Sequence, residues 1–188
     1  MSSDDDSIPT ADMIEGAKHP SEALKVIGHQ DAENVFIDAL NEGRLHHAWM
    51  ITGPKGIGKA TFAWRLAKYL LCSPMREERQ SLFGDAPEAI QTLNIDPDHP
   101  ILRRIHAGSE GRLSVVRRLY DTKRKVFKAQ ITIEEIRKLK SFFALSAADG
   151  GQRVVIIDAA DDMNVNAANA LLKVLEEPPQ HTILLLIS

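Results

Sequence analysis

Apolar and polar positions change period several times along this chain, and each change marks an element. Over residues 31–41, Val35, Phe36, Ala39 and Leu40 recur at helical spacing and Gly43 follows, which predicts an amphipathic helix with a glycine stop. Residues 47–52 form a short, mainly apolar strand, then a glycine-rich stretch, then a helix from about 59 to 71 with Phe62, Ala63, Leu66, Ala67 and Leu70 on its inner stripe. Pro74, Pro87, Pro97 and Pro100 break the pattern between 73 and 104, where only short helical pieces and loops are expected.

Residues 113–120 then read as a strand, the charged stretch 121–125 as a turn, and residues 126–131 as a second strand. Thr132-Ile133-Glu134-Glu135 fits a capping box, with the threonine hydroxyl and the Glu135 carboxylate satisfying amides at the start of a helix that buries Ile133, Ile136, Leu139 and Phe143. A continuously apolar strand follows at 153–158, a helix at 164–177 stopped by Pro178-Pro179, and a third apolar strand at 182–187. Strands that are apolar on both faces and alternate with helices imply an α/β fold: a central, mainly parallel sheet flanked by helices. A sheet seldom ends on such a strand, so it is expected to continue beyond Ser188.

Composition sharpens this picture in four places. With 188 residues, 44% hydrophobic and 26% charged, the chain suits one globular domain, taken as residues 21–188 after an acidic, flexible tail at 1–20. No apolar run approaches the ~20 residues of a membrane span, and no signal-peptide pattern opens the chain, so a cytoplasmic location is expected. The lone Cys72 follows an apolar pair and reads as a half-buried small hydrophobe. The net charge of −3 is uneven: residues 101–140 carry twelve cations against four acids. Such a stretch is either a phosphate-facing surface or a solvated face with a charged loop.

Gly53-Pro54-Lys55-Gly56-Ile57-Gly58-Lys59 matches G-x-x-x-x-G-K between a predicted strand and a predicted helix, the setting a phosphate loop requires. Its glycines let backbone amides turn inward around an anion, the helix start adds partial positive charge, and Lys59 is placed to reach the β- and γ-phosphates. The next residue, which should offer a hydroxyl to magnesium, is Ala60. Thr61 lies one residue further, a rotation of ~100° around the helix, and does not simply replace it. The strand at 153–158 ends in Asp158, positioned to hold magnesium, but Ala159 stands where hydrolysing P-loop ATPases keep a glutamate base. Loss of both groups predicts weak or absent hydrolysis and no catalytic residues.

Ile27-Gly28-His29, the stretch at 43–49, the phosphate loop, Asp158-Ala159-Ala160-Asp161 and the block from Asn169 to Pro179 together resemble bacterial clamp-loader subunits of the AAA+ class. Within that family, alanine after Asp158 is similar to the delta-prime branch, since the gamma and tau motors keep the glutamate. The resemblance implies a P-loop NTPase three-layer fold and a place in DNA replication within the DNA polymerase III holoenzyme, a nucleotidyltransferase assembly. It implies ATP or ADP with magnesium as ligand, with Ile27, Gly28 and His29 on the adenine side of the loop residues Gly53 to Thr61. Implied partners are gamma or tau, delta, the sliding clamp and primed DNA. The lid and collar domains and the family's arginine motif are expected to lie outside this chain. Relatives carry a four-cysteine zinc module after the first motif's helix; only Cys72 stands there, so no zinc is expected.

Glu176 and Glu177 sit where the helix macrodipole disfavours negative charge by roughly 0.3–1 kcal/mol each. They mark either an interface with a basic partner or two solvated glutamates before a proline stop. Leu171, Leu172 and Leu175 read as core. His46 and His47 point to opposite faces and cannot share an ion. His106 and His181 show no partner, and no Ser-His-Asp or paired-carboxylate constellation emerges from spacing. Three readings stay open: a nucleotide-holding subunit without hydrolysis, an active ATPase motor of the gamma/tau type or another DNA-dependent ATPase, and a P-loop domain from another pathway. Without its collar the domain is expected to be monomeric.

Overall fold

The computed structural model describes residues 9–13, 16–23, 25–73, 89–145 and 151–188. Helix α1 (Gln30–Glu42) ends on Gly43, whose left-handed φ of 67° lets its amide reach back to the carbonyls of Ala39 and Leu40. Strand β1 (Ala48–Ile51), the glycine-rich loop and helix α2 (Lys59–Cys72) follow in the expected order. A short helix α3 (Pro100–His106) starts on proline, with His99 accepting from the Ile101 amide at 3.2 Å. Then come strand β2 (Leu113–Arg117), a small hairpin of β3 (Tyr120–Asp121) and β4 (Val126–Phe127), and helix α4 (Ile133–Leu145). Strand β5 (Arg153–Asp158), helix α5 (Val165–Glu176) and strand β6 (Thr182–Ile187) complete the chain.

The main sheet has the order β1-β6-β5-β2, and every pairing in it is parallel. Alternation along the two central strands splits the apolar residues into two cores. Val154, Ile156, Ile183, Leu185 and Ile187 pack with α1, α2 and α3 on one face. Val155, Ile157, Leu184 and Leu186 pack with α4 and α5 on the other. The result is the helix–sheet–helix sandwich read from the sequence, because a parallel sheet must cover both faces. Helix α2 is buried almost all round: Trp64, Tyr69 and Leu71 are covered in addition to the predicted stripe. No described helix is long and apolar enough to cross a membrane.

Several local expectations are corrected. The strand expected over 113–120 stops at Arg117, because its neighbour β5 ends opposite it at Asp158 and leaves nothing further to pair with. The strand expected over 126–131 is only Val126–Phe127, with Ile131 making one isolated bridge to Met163. In the capping box, Glu135 accepts from the Thr132 amide at 2.8 Å as expected, but the threonine hydroxyl donates to the Glu134 and Glu135 carboxylates instead of accepting from an amide. Val35 and Leu172 are 58% and 51% exposed, since each falls outside the arc its helix turns to the sheet. Cys72 packs partly buried against the core, and burial pushes its thiol up to about 11, in keeping with an inert small hydrophobe.

The acidic N-terminal segment is not loose throughout. The Asp12 side chain is 1% exposed and accepts from Arg117 at 2.6 and 2.7 Å and bonds His19 at 3.0 Å, so part of the expected tail is tied to the end of β2. Residues 1–8 lie outside the described residues, as do residues 74–88, where the zinc expectation falls.

Candidate nucleotide site

Ligands of open parallel sheets gather at the carboxyl ends of the strands, and both sequence motifs lie there. The loop leaves β1 after Ile51, which is in register with Ile187 of β6; Ile187 is in turn opposite Asp158, and Asp158 opposite Arg117. One strand therefore separates the two motifs, so β1 and β5 stand about 10 Å apart at the usual strand spacing.

The loop keeps amides that lack backbone partners. Among the described residues, no backbone hydrogen bond uses the amides of Lys55, Gly56, Ile57 or Gly58. Gly58 is the N-cap of α2 with φ 94°, a conformation that spares a side chain there. Gly53 has φ 148°, which L side chains rarely adopt, and a Cβ on it would also stand 2.7 Å from the flexible end of the exposed Ile57 side chain. Lys59 folds its ammonium onto the loop, donating to the carbonyl oxygens of Gly53 and, at 3.0 Å, Pro54. Ala60 packs against the core with no group to offer a metal, and Thr61 follows it in the first turn of α2.

Of the three residues assigned to the adenine side, only His29 reaches the loop. It adopts φ 62°, donates through Nε2 to the Ile57 carbonyl at 2.8 Å and stacks on Phe62 with ring centroids 5.5 Å apart. Gly28 supplies the preceding left-handed turn (φ 79°), and Ile27 is 96% exposed.

The carboxylate end is more crowded than the sequence suggests. Burial, and then the neighbouring charge of Asp12, push the Asp158 carboxyl up to about 6 against the pull of Arg117. Burial also works against Asp12, but the bond from His19 and the Arg117 guanidinium outweigh it and hold that carboxyl well below the ordinary range. The charge of Asp12 is thus felt by Asp158 at this edge, which spacing alone did not reveal.

A Ser-His-Asp arrangement, also unexpected, lies beside it: His19 Nδ1 accepts from the Ser21 hydroxyl at 2.7 Å while Nε2 donates to Asp12. His19 Nδ1 also takes the Ser21 amide at 3.1 Å as N-cap of a 3-10 turn over Pro20–Glu22, and Arg117 shares Asp12. These bonds clamp the N-terminal segment to the domain. The sequence carried no signal for the cluster: Arg117 fell inside a strand expected to run to residue 120, as one cation of a basic stretch, and nothing in the acidic segment singles out Asp12.

The other candidates are placed elsewhere. Asp161 accepts from the Ser188 hydroxyl at 3.0 Å and Asp162 pairs with Arg118 at 2.9 Å, so neither takes over from Ala159. Glu176 and Glu177 are exposed at the end of α5. His47 Nε2 donates to the Leu175 carbonyl at 3.0 Å, capping that helix end, and His106 Nε2 meets the Ser21 carbonyl at 3.2 Å.

A parallel α/β domain with a glycine-rich loop after β1 and a carboxylate ending β5 is the class that fold and site define. A family profile described as DNA polymerase III, delta subunit, matches residues 28–188, and the chain belongs to that family. The DNA polymerase III subunit delta' of Pseudomonas aeruginosa is 37% identical over 146 residues, covering 76% of this chain and 37% of that protein. The delta' subunit of Bacillus subtilis is 32% identical over 154 residues, 82% of this chain and 40% of its own length. The gamma/tau subunit of Mycobacterium tuberculosis is 29% identical over 172 residues, 87% and 25% respectively. The chain spans two-fifths or less of the length of these relatives. The likeness to delta-prime clamp-loader subunits read from its motifs is thereby shown.

Proposed function

We infer that this chain is the nucleotide-holding, non-hydrolysing domain of a delta-prime-type subunit, which helps a clamp loader place the sliding clamp on primed DNA. The observation that carries the reading is the contrast inside one site. The loop from Gly53 to Lys59 keeps four unused amides and a lysine, while Ala60 and Ala159 stand where a metal hydroxyl ligand and a base are needed. The free amides and the glycine backbone of the loop suit the phosphates of ATP or ADP; Lys59 would exchange its loop carbonyls for phosphate oxygens. The donor set fits magnesium poorly, since Asp158 is left without a hydroxyl partner from α2 and is itself partly protonated near pH 6. His29, stacked on Phe62, holds the loop from the side where Ile27 and Gly28 would meet the base.

The partners belonging to this reading are gamma or tau and delta, with the clamp and DNA reached through the assembly, in the cytoplasm. Glu176 and Glu177 are candidates for a basic neighbour, and the domain alone is taken as monomeric. Calorimetric titration with ATP, with and without magnesium, beside a turnover assay and Lys59→Ala, tests the proposal. Micromolar binding, weakened at least tenfold by Lys59→Ala and without turnover, is expected; on general grounds tenfold is about 1.4 kcal/mol. Hydrolysis that disappears with Lys59 would promote the motor reading, and absence of binding would reduce the domain to a scaffold.

A further inference from the structure

We propose that the tip of the β3–β4 hairpin contacts the phosphate backbone of nucleic acid through Lys123, Arg124 and Lys125. The structure sorts the basic run of residues 112–128 into two kinds of cation. Arg112 pairs with Glu110 at 3.0 Å, Arg117 with Asp12 and Arg118 with Asp162, and Lys128 lies 3.9 Å from Glu135. The three arginines are engaged within the fold, and Lys128, itself exposed, is held near Glu135. Lys123, Arg124 and Lys125 are exposed and form no salt bridge among the described residues.

The tip is also preorganised. The Asp121 carboxylate accepts from the amides of Lys123 and Arg124 at 2.9 and 3.0 Å, so the one acid in the loop is engaged in shaping it. The Lys125 amide returns to the Asp121 carbonyl at 2.7 Å with φ 56°, and the Lys128 amide donates to the Leu119 carbonyl at 2.8 Å. Tyr120 and Phe127 pack edge to face at 5.2 Å and brace the base of the hairpin. Three consecutive cations on a fixed turn, with its aromatics engaged on each other, suit sequence-independent contact to phosphates and not base stacking. Membership of a DNA polymerase III family favours nucleic acid over an acidic protein surface. The inference rests on the clamp-loader part of the proposed function and not on the nucleotide site.

The test is salt-dependent binding of the full chain to a fluorescent primer–template duplex. Its subject is a Lys123→Gln, Arg124→Gln, Lys125→Asn variant, in which asparagine tolerates the left-handed backbone and Asp121 is kept. A second variant, Arg137→Gln, Lys138→Gln, Lys140→Gln, removes the same charge from exposed positions of α4. The hairpin variant should lose more than tenfold in affinity at low salt. The slope of log affinity against log salt should fall by about 2–3, roughly 0.9 for each phosphate that is no longer neutralised. The α4 variant should change the slope by less than about 1. Equal losses in both variants, an unchanged slope, or no DNA binding by the unaltered chain would overturn the proposal. So would a hairpin variant that keeps DNA but loses a protein partner. Its ATP titration should match that of the unaltered chain, and Lys59→Ala should keep the DNA affinity, so each reading can fail without the other.

Discussion

Lys59 and Asp158 occupy the same edge of one sheet, one strand apart, under opposite conditions. Lys59 opens α2 beside a loop of mostly exposed residues, and its ammonium rests on two carbonyl oxygens of that loop. Asp158 is partly withdrawn from water, stands in register with Arg117 and feels the charge of the ionised Asp12, so its carboxyl rises to about 6. Charge at the loop is available to a ligand, while charge at the strand end is bound into the energetics of folding. On the proposed reading, such an edge suits an anion better than metal-assisted chemistry, which needs carboxylates free to follow a cation.

Asp12→Ala should disturb this contrast most. The carboxylate is 1% exposed, and its loss leaves Arg117 and His19 without their shared acceptor. Removing one partner of a buried pair costs about 3–5 kcal/mol; with Arg117 26% exposed, about 2–3 kcal/mol is expected from urea denaturation. Removing a like charge should also let Asp158 titrate below its value of about 6 in a carboxylate NMR titration. An unmoved midpoint with an unmoved Asp158 would mean that the N-terminal segment has no bearing on the strand end.

Asp158→Asn should act in the other direction and somewhat less. A carboxyl raised to about 6 in the folded chain, against 3.8 otherwise, binds more protons folded than unfolded between those values, so its cost to stability grows as pH rises through that window. Near neutrality the variant should be more stable by about 2 kcal/mol, with the advantage fading to nothing below about pH 4. A variant less stable than the unaltered chain at pH 7.5 would show that Asp158 anchors the strand end and is not a group held there at a cost.

How much of this was legible in advance follows from the range of the interactions. Strands β5 and β6 were read to the residue, because continuous apolar runs bounded by charged or polar residues leave little choice of register. The place of the loop between β1 and α2 was legible because its glycine pattern is short and contiguous. The Asp12–Arg117–His19 clamp joins positions 105 and 98 residues apart through side chains alone, with no periodicity to betray it. The division of the basic run into paired and unpaired cations was hidden for the same reason, since Arg118 and Asp162 meet only once β2 and β5 are side by side. Leu172 was misread because its helix is apolar beyond the arc that the sheet can cover.

The smallest effect should belong to Lys59. Its side chain touches only carbonyl oxygens of its own loop, at a site open to water, and no carboxylate pairs with it among the described residues. Lys59→Ala returns those carbonyls to solvent, and alanine suits the first turn of α2 at least as well as lysine. The expected change in unfolding free energy is within about 0.5 kcal/mol, as for surface positions generally. Set beside Asp12→Ala in the same urea series, that near-zero value is the sharper half of the comparison. A loss above about 1 kcal/mol would place Lys59 among the residues that hold the loop shut. The two ends of the site would then be alike in being tied to the fold, and the free amides of residues 55–58 would need another explanation.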